Sequence, residues 1–198
     1  AYLLEKKYKS FSRNGANLAE TEKAKLREID KELAQLSLQF GQNVLAETNN
    51  YILEISNEDD LKGLPAYVID QAKADAEAKN KTGWVFTLQA PSYIPFMQYA
   101  ENRTLREELF RERSKKAFQN NEFNNEENIK KIAKLRFDRA NLLGYNTHAD
   151  YVLEERMANS PQTVIEFLND LLIKAKPFAE KEIKELADFA MKIDGIET

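Results

Sequence analysis

The stretch "LRFDRANLLGYNTHADYVLEERMA", residues 135–158, holds the end of one helix, a stop, and the start of another. Leu135, Phe137, Leu142 and Leu143 continue an apolar face that begins at Ile129 and Ile132. That recurrence belongs to a helix packed on one side. Gly144 then supplies the residue type that most easily turns left-handed after a last helical turn. Thr147 stands where a side-chain oxygen accepts from the free N–H groups of a new helix, so "HADYVLEERMA" reads as that helix. His148, the one histidine in the chain, lies at its start.

The same pattern extends both ways. "NSP" resets the chain, with Ser160 as cap and Pro161 at the first helical position, and predicts a helix to about Ile193 that Pro177 kinks or splits. Upstream, a helix opens with Ser92 as cap and Pro95 early, and runs on through Phe96, Tyr99, Leu105, Leu109 and Phe110. The polar loop "NNEFNNEEN" follows it. Leu26, Ile29, Leu33, Leu36 and Phe40 form a helical seam with gaps of three and four, which Gly41 interrupts without clearly ending. A turn is expected at Asn14-Gly15. A short turn capped by Ser56 or Asn57 and a helix from Pro65 to about Lys79 come later.

Two short runs, "YILEI" (51–55) and "WVFTL" (84–88), have the β-branched and aromatic character of strands. The expected fold is mainly α: a multi-helix bundle with a small two-stranded antiparallel β element. No internal repeat or low-complexity linker divides the sequence. Residues 1–198 therefore read as a single helical segment, with 1–120 and 121–198 as its sub-parts.

Lys and Arg number 29 against 33 Asp and Glu, for a net charge of -4. Such a chain is not built to neutralise a phosphate backbone, so nucleic acid is not an expected partner. No apolar run approaches the roughly 20 residues that span a bilayer, so no membrane partner is expected either. "AYLLEKKYKSF" lacks the apolar core of a signal peptide. With a start at Ala1 and a stop at "KIDGIET", the chain reads as a piece of a longer precursor. The expected compartment is the cytoplasm, with the periplasm left open. The absence of cysteine excludes disulfides, thiolate metal sites and cysteine nucleophiles.

A catalytic zinc site takes about three protein ligands, commonly two histidines one turn apart and a carboxylate. His148, even with Glu154 and Glu155 nearby, does not supply that set, and a locally packed or hydrogen-bonded histidine is expected. A Ser-His-Asp arrangement would also have to use His148, and no serine sits in a Gly-x-Ser-x-Gly turn. "NNEFNNEEN" lacks the glycine and ligand spacing of a calcium loop. Arg103, Arg106, Arg111, Arg113, Lys115 and Lys116 alternate with Glu101, Glu107, Glu108 and Glu112, the pattern of a solvated helix face. Asp70, Asp75 and Glu77 read as surface. Asn80 and Asn102 match the N-glycosylation pattern and are discounted, the second because it is expected in mid-helix. The residues thus give no catalytic, cofactor-binding or metal-binding set.

The order of four blocks carries a resemblance: "FSRNGANL", "GLP" (Gly63 to Pro65), "PSYIPFMQYAENRTLREELF" (Pro91 to Phe110) and "LRFDRANLLGYNTHADYVLEERMANSP" (Leu135 to Pro161). In that order they resemble the zinc oligopeptidases of the thimet oligopeptidase, oligopeptidase A and peptidyl-dipeptidase group, over nearly the whole chain. "RNGANL" and "THADYVLEERMA" lean toward the bacterial peptidyl-dipeptidase branch. The resemblance implies a mostly helical parent enzyme with a deep channel, one zinc ion, and short unfolded peptides as substrates. It also implies a His-Glu-x-x-His helix and a downstream Glu as zinc ligands, with the motif Glu activating water. No such motif occurs here, so no zinc or catalytic residue carries over, and zinc is expected in the full-length parent alone.

The chain is therefore expected to be an inactive part of the channel wall, with the missing catalytic half of the same polypeptide as its partner. Tyr93, Phe96, Met97 and Tyr99 are expected to pack in the core, with channel lining as their other role. A stand-alone helical module that dimerises through the Leu26–Phe40 seam is the alternative.

Overall fold

The computed structural model describes residues 1–195. In chain order these form α1 (Tyr2–Arg13), α2 (Glu20–Asn50), β1 (Ile52–Ile55), a 3-10 turn (Glu58–Leu61), α3 (Ala66–Ala78), β2 (Trp84–Thr87), α4 (Ala90–Tyr99), α5 (Arg103–Ser114), α6 (Glu126–Leu142), α7 (His148–Leu153) and α8 (Pro161–Asp194). β1 and β2 pair antiparallel, with Ile52 opposite Thr87 and Ile55 opposite Trp84. The described residues are mainly helical with one small two-stranded sheet, as the sequence pattern predicts.

Two compact units are present: residues 27–135, and residues 1–26 together with the chain from Arg136 onward. The first holds the larger core. Leu53 and Ile55 alternate inward on β1 while Glu54 stays exposed, the period of a strand with one packed face. On α3, Val68, Ala72 and Ala76 are buried at four-residue spacing, so small side chains let that helix lie close to its neighbours. Phe86 and Phe96 are fully buried, with ring centroids 4.6 Å apart and planes tilted by 60°. Each such large apolar side chain contributes about 1.5–3 kcal/mol on burial.

The second unit has a thinner interior. Leu26 and Ala140 are buried, and Gly15 is buried at a positive φ of 89°. A Cβ there would meet Leu26 Cδ2 at 2.6 Å and Leu18 Cδ1 at 3.0 Å. Glycine is thus required at Gly15 both for its backbone angle and for the packing. α8 contributes 34 residues and leaves most of its apolar side chains in water. Phe178, Leu186 and Phe189 are 70%, 68% and 61% exposed.

Several expected boundaries move. The helix expected from Ser92 through the Arg103–Lys116 cluster is two helices, α4 and α5, broken at Ala100. Asn102 is the cap of α5, its side chain accepting from the Leu105 N–H at 3.1 Å; it does not lie in mid-helix. Ser92 is inside α4 and its hydroxyl accepts from the Thr87 N–H at 2.9 Å, so it ties α4 to β2. α7 ends at Leu153 instead of continuing through "EERMA". α8 continues through Pro177 without splitting, while α2 runs on through Gly41, where the apolar pattern is interrupted without a clear helix end. Thr147, Ser160 and Asn57 cap their elements as expected, accepting from Asp150, Thr163 and Asp59 N–H groups.

Candidate functional site

The four sequence blocks meet in pairs. In the unit of residues 27–135, "GLP" meets the Pro91–Phe110 block. Gly63, at φ 86°, passes so close to the end of α4 that a Cβ would lie 2.1 Å from the Tyr99 carbonyl oxygen. The Glu101 N–H donates to the Lys62 carbonyl at 2.9 Å, and the Asn102 amide donates to Asp60 at 2.8 Å. This junction fixes where α4 ends and α5 begins.

In the other unit, "FSRNGANL" meets the Leu135–Pro161 block around Arg13. The Arg13 guanidinium donates to Glu154 at 2.6 Å, to the Tyr145 hydroxyl at 3.3 Å, and to the Tyr151 carbonyl. It lies 4.7 Å from the centroid of the Tyr151 ring, with Arg139 5.0 Å from the same centroid. The Tyr145 hydroxyl donates to Glu154 at 2.5 Å, and the Tyr151 hydroxyl donates to Asn14 at 2.9 Å. The Tyr145 hydrogen bond, with help from Arg13 and Lys9 and against some desolvation, holds the Glu154 carboxyl down at about 2. These bonds tie α1 to Tyr145 and to α7 and its C-terminal end, so the cluster holds elements in place.

A third polar cluster lies at the end of α2. Glu47 is 6% exposed. Its carboxylate accepts from the Ala117 N–H at 2.7 Å, from Gln119 at 3.3 Å and from Asn121. Beside it, Asn43 donates to Asn125 at 2.9 Å, and Asn125 donates to the Phe40 carbonyl at 3.1 Å. A cavity of about 210 Å³ opens next to Glu47, lined also by Tyr51, Glu112, Lys116, Asn121 and Phe123. Burial and then Arg113 push the Lys116 ammonium down. Glu47 spends its acceptor capacity on the 117–121 backbone and amides, so it pins that loop.

The residues singled out by sequence stay dispersed. His148 is half-buried, its Nδ1 buried without a hydrogen-bond partner; burial, then Arg136 and Arg139, push its pKa down and favour the neutral ring. Glu154 and Glu155 face α1, with Lys9 3.3 Å from Glu154 and Lys6 3.4 Å from Glu155. Asp70 and Glu77 are exposed, and half-buried Asp75 accepts from Gln71 at 2.9 Å. In the basic cluster Arg111 pairs with Glu107 at 2.6 Å and Lys115 with Glu112 at 2.6 Å. Arg113, by contrast, donates to the Leu88 carbonyl at 3.0 Å and lies 4.2 Å from the Tyr93 ring centroid. Phe96 is core, Tyr93 and Met97 are half-buried, and Tyr99 is exposed.

Among the described residues no group of three or more His, Asp or Glu side chains could hold a metal ion. These side chains therefore do not fit a zinc ion. Also among the described residues, no helix is long and apolar enough to cross a membrane. Sequence reading missed Arg13 and Glu47. Arg13 stands inside a block already singled out, and that was its signal; Glu47 has no local signal.

Residues 96–198 match the family model described as Peptidase family M3. Oligopeptidase A of Haemophilus influenzae is 38% identical over 197 residues, 98% of this chain and 29% of that protein. Oligopeptidase A of Salmonella typhimurium is 36% identical over 96% of this chain and 28% of its own length. Dipeptidyl carboxypeptidase of Escherichia coli is 27% identical over 98% of this chain and 28% of its own length. The identities are thus higher toward these oligopeptidases A than toward that dipeptidyl carboxypeptidase, against the lean read from "RNGANL". The chain spans less than a third of the length of these curated relatives, and it belongs to peptidase family M3.

Proposed function

We propose that this chain is a scaffold segment of a zinc-dependent oligopeptidase that cleaves short unfolded peptides, that it forms part of the channel wall, and that it is inactive alone. The observation that carries this reading is α8. Phe167, Leu168, Leu171, Leu172, Phe178, Leu186 and Phe189 are all at least half exposed along one helix. A run of large apolar side chains left this exposed on one helix is the kind of surface that marks an interaction site. A helix about 50 Å long with such a face is made to be covered, and in this reading the catalytic remainder of the polypeptide covers it and brings the zinc ligands. The hydrogen-bonded clusters around Arg13, Gly63 and Glu47 support a framework role, since each fixes a loop or helix end.

Incubating the chain with internally quenched short peptides, with and without added zinc, tests the claim. The expected rate equals that of buffer; hydrolysis that co-purifies with the chain would overturn it. The alternative, a module dimerising through the Leu26–Phe40 seam, is separated by light scattering. Ile29, Leu33 and Leu36 are half-buried in the monomer, so a dimer abolished by charges at Leu33 and Leu36 is the result that would favour the module.

A further inference from the structure

We propose that α1 is a strap, anchored at Arg13–Gly15 and held along its first two turns by exposed ion pairs, that peels away when those pairs are screened. A helix normally docks by its apolar stripe. α1 docks by the opposite face. Lys6, Lys9 and Arg13 share one side of the helix, while Leu4, Tyr8 and Phe11 share the other. The half-buried residues of α1 are Lys9, Ser12 and Arg13, whereas Leu4, Tyr8 and Phe11 are 75%, 67% and 67% exposed.

Ion pairs reach from the first two turns: Lys6 to Glu155 at 3.4 Å, Lys9 to Glu154 at 3.3 Å, and Lys9 to Glu155. All four side chains keep 30% or more of their surface in water, where ion pairs contribute little and salt screens them. The far end is different. Arg13 is only 14% exposed and makes the full set of bonds around Glu154, and Gly15 is packed against Leu18 and Leu26. One end is therefore fixed and the other is held by interactions that ionic strength controls.

Hydrogen exchange on the whole chain tests this. Raising salt from about 50 mM to about 1 M is expected to speed exchange of the Lys6–Ser10 amides about tenfold, with α3 unchanged as the control. Lys9→Glu places like charges against Glu154 and Glu155, and is expected to give the same fast exchange already at low salt. At high salt the variant and the wild type should converge, which a packing role for Lys9 would not produce. Salt-independent protection of Lys6–Ser10 in the wild type would overturn the proposal, as would wild-type protection in Lys9→Glu or a difference between the two that persists at high salt.

Discussion

Glu47 has its carboxylate nearly withdrawn from water, with donors from Ala117, Gln119 and Asn121 aimed at it. Burial alone would raise its pKa, but the bonds from Asn121, Ala117 and Gln119 outweigh it and leave the group below its ordinary 4.5. A carboxyl depressed in the folded state adds stability that is present above the unfolded value and lost as pH falls through the folded one. Glu47→Gln, which turns an amide N–H₂ toward the same donors, is expected to cost about 2 kcal/mol at neutral pH. It should also lose less stability than the wild type as pH drops below about 4.5. Urea unfolding of both proteins at pH 7 and through the acid range checks this, and parallel pH profiles would contradict it. Glu47 was illegible because its partners come some 70 residues later. The caps at Thr147, Ser160 and Asn57 were legible because a cap bonds to a residue two or three positions on.

At the scale of elements, the split expected at Pro177 is outweighed by the residues around it. Pro177 has no N–H for the carbonyl one turn back, at a cost of about 3 kcal/mol in a helix interior. That carbonyl belongs to Ile173, which is 74% exposed, so water can serve it. Long runs of strong helix formers flank the site, tied by pairs such as Lys174–Asp170 and Lys184–Asp188, both at 2.7 Å. Pro177→Ala is therefore expected to slow amide exchange across the middle of α8 by about a hundredfold. Unchanged exchange there would mean that the proline is already strain-free. The split between α4 and α5 went unseen for the converse reason. Asn102 looked like one polar residue in a continuous pattern, yet its bonds to Leu105 and Asp60 make a chain break worth more than an unbroken helix.

For the whole molecule, fold class and strand pairing followed from local periodicity, since "YILEI" and "WVFTL" stand apart from every helical stretch. The sites did not follow in the same way. The blocks that marked the family proved to be places where distant segments lock together, and a lock is a relation between two segments that neither shows alone. Arg13 and Glu154 are 141 positions apart. The unit of residues 27–135 is one uninterrupted run of chain, whereas the other is assembled from both sides of it. Contacts at such separation form late, because a long loop must close before they are gained. Trp84, the only tryptophan, reports on the uninterrupted run. In refolding, its fluorescence and the α3 amides should recover before the amides around Gly15 and Tyr145; simultaneous recovery in pulse-labelled exchange would refute this order. On a ribosome the same geometry means that Arg13 leaves the exit tunnel 141 residues ahead of Glu154, the partner it pairs with in the folded chain.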